Sequence, residues 1–140
     1  MKVQIYLNFG GNCEQALRFY EKHLGGKITF KMNYDEMPEP KNFSPGMEKF
    51  ILHASMILGD AEIMASDAPP DRFQPMRSVY LSLRLNSDEE AESVYALLND
   101  GGEIFMPIQE TFFATRFAML RDKFGVSWMI IHDRPMPAAA

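Results

Sequence analysis

The feature that most constrains the fold of this chain is a pattern of segments that occurs twice. In each copy, a segment of alternating apolar residues precedes a segment with apolar residues at helical spacing, and a Gly-Gly pair follows. The pairs are Gly25-Gly26 and Gly101-Gly102, and after each one the alternation resumes and leads into a hairpin-like region. Alternation predicts strands, spacing of three and four residues predicts helices, and an internal repeat outranks either signal. The chain therefore predicts two copies of a βαβββ module.

In the first copy, Asn12 is the predicted N-cap of the helix, and Gly59-Asp60 is a hairpin signal between two apolar segments. Asp67 follows the last strand and is expected to act as a cap or to close an Asx-turn. Cys13 lies on the apolar face of the helix, where a buried thiol is inert. The predicted strands of this copy are residues 3–9, 27–32, 49–58 and 61–66.

In the second copy, the stretch from Gln109 to Ile131 predicts two apolar strands joined by a tight turn. Asp122 is expected to close an Asx-turn on its own backbone, and Gly125 supplies the positive φ that such a turn needs. A strand that is apolar on both faces lies between two layers, so we expect helices behind this hairpin and a hollow in front of it. Further strands are predicted at residues 79–85 and 103–106, with a helix that opens at residues 86–90.

The predicted fold class is α+β, with two tandem βαβββ modules that each place one helix behind one sheet. The uncovered faces of the sheets need a partner, so the two modules are expected to pair around a shared hollow as half-barrels. We expect one domain over residues 1–140, with module 1 at about 1–70, module 2 at about 76–133 and a tail at 134–140.

One segment, residues 33–48, carries three prolines and has no strand or helix pattern. Structureless segments of this length are more often functional, or interface arms, than idle connections. We expect it to loop over the first sheet.

Composition excludes several classes of function. The net charge of −5 and the absence of a basic stripe argue against nucleic acid as a partner. No apolar run approaches the roughly 20 residues of a membrane-spanning helix. The single cysteine leaves no disulfide framework and no multi-cysteine zinc site, and the start of the chain has no signal-peptide pattern, so a cytoplasmic protein is predicted.

Signatures of common catalytic machinery are missing from the sequence. There is no Ser-His-Asp order, phosphate loop, Cys-x-x-Cys motif or dinucleotide fingerprint. A Gly-rich loop in the strand–helix setting used by methyltransferases is missing too.

Four strings in the chain resemble one known family, and together they cover nearly all of it. They are NFGGNCEQALRFYEKHLGGKI (8–28), YDEMP (34–38), EIMASDAPP (62–70) and QETFFATRFAMLRDKFGVSWMI (109–130). These strings are similar to the PhnB-like branch of the vicinal oxygen chelate (glyoxalase/bleomycin-resistance/dioxygenase) superfamily. The resemblance implies paired βαβββ modules and a homodimer.

The superfamily usually holds a divalent metal with one His, Gln or Glu from each of four strands. The resemblance implies that the positions of this chain corresponding to those ligands are Ile5, a position near Met64, a position near Tyr80, and Met129. A thioether is too soft and a hydrocarbon has no lone pair, so none of these suits such a metal. We therefore predict no metal and no defined cofactor. A shift of register by two residues would instead place Glu62 at the hairpin position.

The resemblance and the strand pattern together predict which residues line a ligand cavity. The predicted apolar and aromatic lining residues are Ile5, Leu7, Phe9, Met64, Tyr80, Phe112 and Met129, and the predicted polar residues are His53, Glu62 and Arg116. Glu62 or Met64 is the expected neighbour of His53 across the hairpin. For Arg116, an ion pair with Glu110 or Asp122 competes with a ligand. The candidates for a catalytic role are His53, Glu62 and Glu110.

The resulting prediction is a binding protein whose metal-poor cavity takes a small apolar or amphipathic molecule. One alternative is a metal-dependent enzyme of the lyase, isomerase or dioxygenase type, with a weak divalent site around His53 and Glu62. The other is a structural dimer with a filled barrel and no ligand. Neither nucleic acid nor membrane is expected as a partner.

Overall fold

The computed structural model describes residues 1–135, and the chain divides into two compact units, residues 1–75 and residue 76 onward. Each unit consists of one helix and one four-stranded sheet in the order βαβββ. This confirms the predicted α+β fold with two tandem βαβββ modules. Residues 136–140 of the predicted tail lie outside the described residues.

Unit 1 contains one sheet with the strand order β1-β4-β3-β2. Strand β1 runs parallel to β4, and the other neighbouring pairs are antiparallel. Its elements are β1 (Ile5–Phe9), α1 (Cys13–Leu24), β2 (Lys27–Asn33), a short 3₁₀ helix (Tyr34–Glu36), β3 (Ile51–Leu58) and β4 (Ala61–Asp67). Strands β3 and β4 form the hairpin predicted at Gly59-Asp60.

Helix α1 covers one face of this sheet and buries its own apolar stripe there, as the spacing of the stripe requires. The buried side chains of the helix are Cys13, Ala16, Leu17 and Tyr20. Those of the sheet on the same side include Leu7, Phe9, Ala54, Met56 and Ala65. Burial raises the pKa of the Cys13 thiol, and the nearby Asp67 carboxylate adds to the effect, which suppresses thiolate chemistry.

The carboxylate of Asp67 joins three segments of unit 1. Its Oδ1 accepts hydrogen bonds from the backbone N–H groups of Gly11 at 2.8 Å and Cys13 at 3.0 Å, and its Oδ2 accepts one from Ile51 at 2.8 Å. The backbone oxygen of Asp67 accepts a fourth bond from the Tyr34 hydroxyl. This confirms a capping role for Asp67, although the helix it caps begins 54 residues earlier in the chain.

Unit 2 contains a second sheet with the equivalent strand order, β5-β8-β7-β6, in which β5 is parallel to β8. The side chain of Ser87 accepts a hydrogen bond from the Glu90 N–H and caps the helix, which then packs on β7 and β8. The elements are β5 (Leu81–Arg84), α2 (Asp88–Asn99), β6 (Glu103–Gln109), β7 (Ala114–Arg121) and β8 (Ser127–Asp133).

The turn between β7 and β8 has the predicted Asx-turn. Asp122 Oδ1 accepts from the N–H groups of Phe124 at 2.9 Å and Val126 at 3.0 Å. Its Oδ2 accepts from the indole N–H of Trp128 at 2.8 Å. One buried carboxylate therefore fixes both the turn and the largest core side chain of this unit.

The repeated Gly-Gly pairs have the same physical basis in both units. The first glycine of each pair, Gly25 and Gly101, has φ of 74°, a left-handed conformation that ends a helix at little cost only for glycine. The second glycine lies against the sheet. A Cβ on Gly26 would come 2.9 Å from Met56 Sδ, and one on Gly102 would come 2.4 Å from the Arg121 carbonyl oxygen.

Replacement of Asp67 by Asn is expected to lower the free energy of unfolding by about 2–3 kcal/mol, because an amide NH₂ would face buried N–H donors. Urea denaturation measures this difference. Asp60→Asn is the matched control, since Asp60 is exposed in the β3–β4 turn and Asn suits a turn equally well. Equal stability of the two variants would contradict the structural role of Asp67.

Candidate functional site

The face of the first sheet opposite α1 carries a hydrogen-bonded tyrosine–histidine pair and several other polar and aromatic side chains. Because side chains alternate along a strand, Leu7 and Phe9 point to the helix, and Tyr6 and Asn8 point the other way. The strand register places Met64 beside Tyr6 and Ser66 beside Asn8. We call this surface the Tyr6–His53 face. It is formed by Tyr6, Asn8, Phe30, His53, Met64 and Ser66.

Tyr6 and His53 form the centre of this face. The Tyr6 hydroxyl and His53 Nδ1 share a hydrogen bond of 3.0 Å, and the two rings stack with centroids 5.6 Å apart. The Phe30 ring lies on the histidine as well, with its centroid at 5.8 Å. Within residues 1–135, His53 Nε2 has no hydrogen-bond partner in the protein, so it is the nitrogen that a ligand can reach.

The rest of this face supplies further polar groups. Ser66 Oγ donates to Asn8 Oδ1 at 2.8 Å, which orients the amide. The rings of Tyr6 and Phe30 are each 45% exposed, an unusual exposure for aromatic side chains. A flat or ring-shaped molecule could stack on these aromatic groups and exchange hydrogen bonds with the polar ones.

Several of the residues predicted for the cavity have a different position in the structure. Ile5, Leu7 and Phe9 lie on the helix side of the sheet, with Phe9 only 1% exposed, so that prediction assigned β1 to the wrong face. The apolar side of β1 matches the apolar stripe of α1, and this complementarity was the available signal. Tyr6, Asn8, Phe30 and Ser66 were missed for the same reason.

The predicted pairing of His53 with Glu62 or Met64 is wrong as well. Glu62 pairs with Ile57, four residues from His53 along β3, which corresponds to roughly 13 Å. Met64 pairs with Ser55, and His53 itself pairs with Met32 on β2. The actual hairpin register therefore separates the two groups that a weak metal site would have required.

In unit 2, the sheet face opposite α2 is apolar. Its centre is a buried cluster of Ala114, Phe117 and Ile131, against which Met106, Phe113, Met119 and Met129 pack. We call this surface the methionine–phenylalanine face. It includes Met129, as predicted for a lining residue.

Two predicted aromatic residues lie near the margins of unit 2. The Tyr80 ring meets Phe105 edge to face at 6.4 Å, and Arg121 lies over the same Phe105 ring at 5.2 Å. Phe112 is 88% exposed and touches Phe113 edge to face at 5.1 Å. Neither Tyr80 nor Phe112 belongs to the buried cluster itself.

Arg116 and Glu110 have structural partners. Arg116 Nε donates to Glu92 on α2 at 2.9 Å, and its Nη1 lies 3.5 Å from Asp88 Oδ2. The expectation of an intramolecular ion pair was right, but its partners are not the predicted Glu110 or Asp122. Glu110 instead pairs with Arg134, and its side chain is 64% exposed.

A polar cluster connects the start of α2 to the ends of β7 and β8. Asp88 Oδ1 accepts from Thr115 Oγ1 at 2.6 Å and lies 2.8 Å from His132 Nδ1. The hydrogen bond from Thr115, followed by the one with His132, holds the pKa of the Asp88 carboxyl below its usual range. This cluster lies on the helix side of the sheet, away from the methionine–phenylalanine face.

The side chains at the four positions where the resemblance implies metal ligands do not suit a divalent metal. Among residues 1–135, no group of three or more His, Cys, Asp and Glu side chains could hold a metal ion. Of the four positions carried over, Ile5 points to the helix, Met64 and Met129 offer soft thioethers, and Tyr80 offers a phenol.

The comparisons with known proteins agree with this architecture. The sequence model of the family described as 3-demethylubiquinone-9 3-methyltransferase matches residues 1–131. This chain belongs to that PhnB-like family. Protein YjdN of Escherichia coli (strain K12) is 36% identical over 138 residues, which are 93% of this chain and 94% of YjdN.

Two solved structures of PhnB-like relatives superpose closely. Protein PA1353 from Pseudomonas aeruginosa is 34% identical, with a TM-score of 0.83 over 96% of this chain and all of that one. The putative 3-demethylubiquinone-9 3-methyltransferase, PhnB protein, from Bacillus cereus is 30% identical, with a TM-score of 0.81 over 94% of this chain and 99% of that one.

More distant structures show the fold alone. The fosfomycin resistance protein FosX from Listeria monocytogenes has a TM-score of 0.61 at 9% identity, over 96% of this chain and 92% of that one. This likeness extends to the fold and carries no statement about the role of either protein. Helices α1 and α2 have 12 residues each, and no helix within residues 1–135 is long and apolar enough to cross a membrane.

Asp88 makes the stability of this PhnB-like protein depend on acid pH. The pKa of the Asp88 carboxyl is lower in the folded protein than in the unfolded chain, where it is about 4. The carboxylate therefore contributes its full stabilisation at pH values above about 4, and this stabilisation is lost as the pH falls through the pKa of the folded state. Asp88→Asn is therefore expected to flatten the dependence of unfolding free energy on pH between about pH 5 and pH 2. Denaturant titrations at several pH values measure this slope.

Glu89→Gln is the control for this experiment, since Glu89 is exposed and neighbours Asp88 in the first turn of α2. Its pH profile should match that of the unsubstituted protein. A similar flattening in both variants would point to the general charge of the helix start instead of the Thr115 and His132 contacts.

Proposed function

We propose that this PhnB-like protein binds a small amphipathic molecule through the Tyr6–His53 face of unit 1. The observation that carries the proposal is the stacked and hydrogen-bonded pair of Tyr6 and His53, with Phe30 against it, on a sheet face that the helix leaves uncovered. A ring can stack there while a hydroxyl or carbonyl group of the ligand meets His53 Nε2.

The neighbouring groups support a ligand of mixed character. Asn8 and Ser66 offer an amide and a hydroxyl, and Met64 offers an adaptable apolar surface. Arg116 is omitted from the proposed site because it pairs with Glu92 and Asp88.

The description of the family names a methyl transfer to a ubiquinone precursor, which is an amphipathic phenol. Transfer to a phenol needs a base for its proton and a bound methyl donor. His53 Nε2 suits the first task. Our proposal is limited to binding, and a complex with S-adenosylmethionine would extend it to catalysis.

Tyr6→Phe is expected to weaken the binding of an alkylphenol such as 4-hexylphenol by roughly 3–10-fold, because one hydrogen bond is worth about 0.5–1.5 kcal/mol. Isothermal titration calorimetry measures the dissociation constant. The fold should persist, since Tyr6 is half-exposed and the ring is kept. Glu62→Gln, on the same side of the sheet but remote from His53, should bind as the unsubstituted protein does.

Other outcomes would favour the alternatives. Unchanged affinity in Tyr6→Phe would place the ligand elsewhere. A stoichiometric divalent metal in the purified protein, lost in His53→Ala, would favour the metal-dependent enzyme. No binding across a panel of phenols and quinols would favour a structural role. The homodimer that the resemblance implies is tested separately by light scattering.

A further inference from the structure

Unit 1 contains a cleft of about 540 Å³ below the segment that follows the 3₁₀ helix. Residues of that segment, Phe43 and Met47, form part of its wall, and Leu52 of β3 forms another part. Leu52 and His53 are consecutive residues of a strand, so their side chains point to opposite faces of the sheet. Leu52 therefore lines the cleft from the side of β3 opposite His53, and the volume of the cleft lies within the range of small-molecule sites.

The lining of this cleft is amphipathic. Tyr34 and Phe43 lie with their ring centroids 5.8 Å apart, and together with Met47 they give it an apolar side. Asn42 and Ser44 contribute an amide and a hydroxyl at its edge. A ligand for such a site needs an apolar body and a polar end.

The charge of the cleft comes from Arg72 and its neighbour Asp71. Arg72 forms no ion pair with any residue of the described range 1–135. Its guanidinium lies near enough to Tyr34 to act on the hydroxyl. Burial, then Asp67 and then Tyr6 raise the pKa of Tyr34, and the positive charge of Arg72 opposes them. An exposed arginine at the mouth of a cleft can bind a carboxylate with two parallel hydrogen bonds.

We propose that this cleft binds a small monocarboxylate with an apolar chain or ring, its carboxylate on Arg72 and its apolar body against Phe43 and Leu52. Arg72 attracts an anion and the adjacent Asp71 repels it, so a singly charged carboxylate meets less repulsion here than a doubly charged phosphate. The site is independent of the function proposed for the Tyr6–His53 face.

Titration calorimetry with octanoate tests the proposal on the full chain. Arg72→Gln is expected to weaken octanoate binding at least tenfold, and Asp71→Asn to strengthen it two- to fivefold by removing a repulsive charge. Arg77→Gln makes the same change of charge at an exposed arginine five residues further along, and should leave the affinity unchanged.

Three results would overturn the assignment. One is the absence of octanoate binding, and another is an equal loss of affinity in Arg72→Gln and Arg77→Gln. The third is equal competition by inorganic phosphate or by uncharged octanol, since either would show that a carboxylate is not what the cleft selects. Circular dichroism of each variant checks that the fold is kept, as expected for substitutions of exposed residues.

Discussion

The buried carboxylate of Asp67 is the contact on which the first unit depends. It accepts backbone N–H groups from the loop before α1, from the first residue of α1 and from the start of β3. The start of α1, the start of β3 and the end of β4, which are distant in sequence, are thereby held at one end of the sheet. Because this holds α1 against one face, it decides that Leu7 and Phe9 are buried and that Tyr6 and Asn8 are not.

The two units use the same fold but present different chemistry. Their Gly-Gly pairs follow the same rule, a left-handed residue that ends the helix and then a residue pressed against the sheet. The faces opposite their helices differ, since unit 1 has the aromatic and hydrogen-bonding Tyr6–His53 face and unit 2 has a cluster of methionines and phenylalanines around buried apolar residues. The two modules thus share a backbone fold but differ in the side chains on their surfaces. Function must therefore be argued from those side chains and not from the fold.

Membership of the PhnB-like family and the departure from metal chemistry are compatible. The fold is shared with distant structures such as FosX, but the positions to which the resemblance assigns metal ligands hold Ile5, Met64, Tyr80 and Met129 in this chain. Sites built from thioethers and aromatic rings bind organic molecules by dispersion and stacking. Of the two binding sites proposed in unit 1, the Tyr6–His53 face includes one of these positions, Met64, and the lining of the cleft near Arg72 includes none.

The sequence by itself determined what depends on neighbouring residues: strand alternation, helix spacing, the Gly-Gly pairs, the Gly59-Asp60 hairpin and the Asx-turn of Asp122. These features follow from local backbone conformation, so a short window contains them. Only the tertiary structure decided which face of β1 meets the helix, that Ile57 and not His53 pairs with Glu62, and that Arg116 pairs with Glu92. Each of these depends on how distant segments pack, and a strand offers two faces and several registers whose energies differ only once its partners are in place.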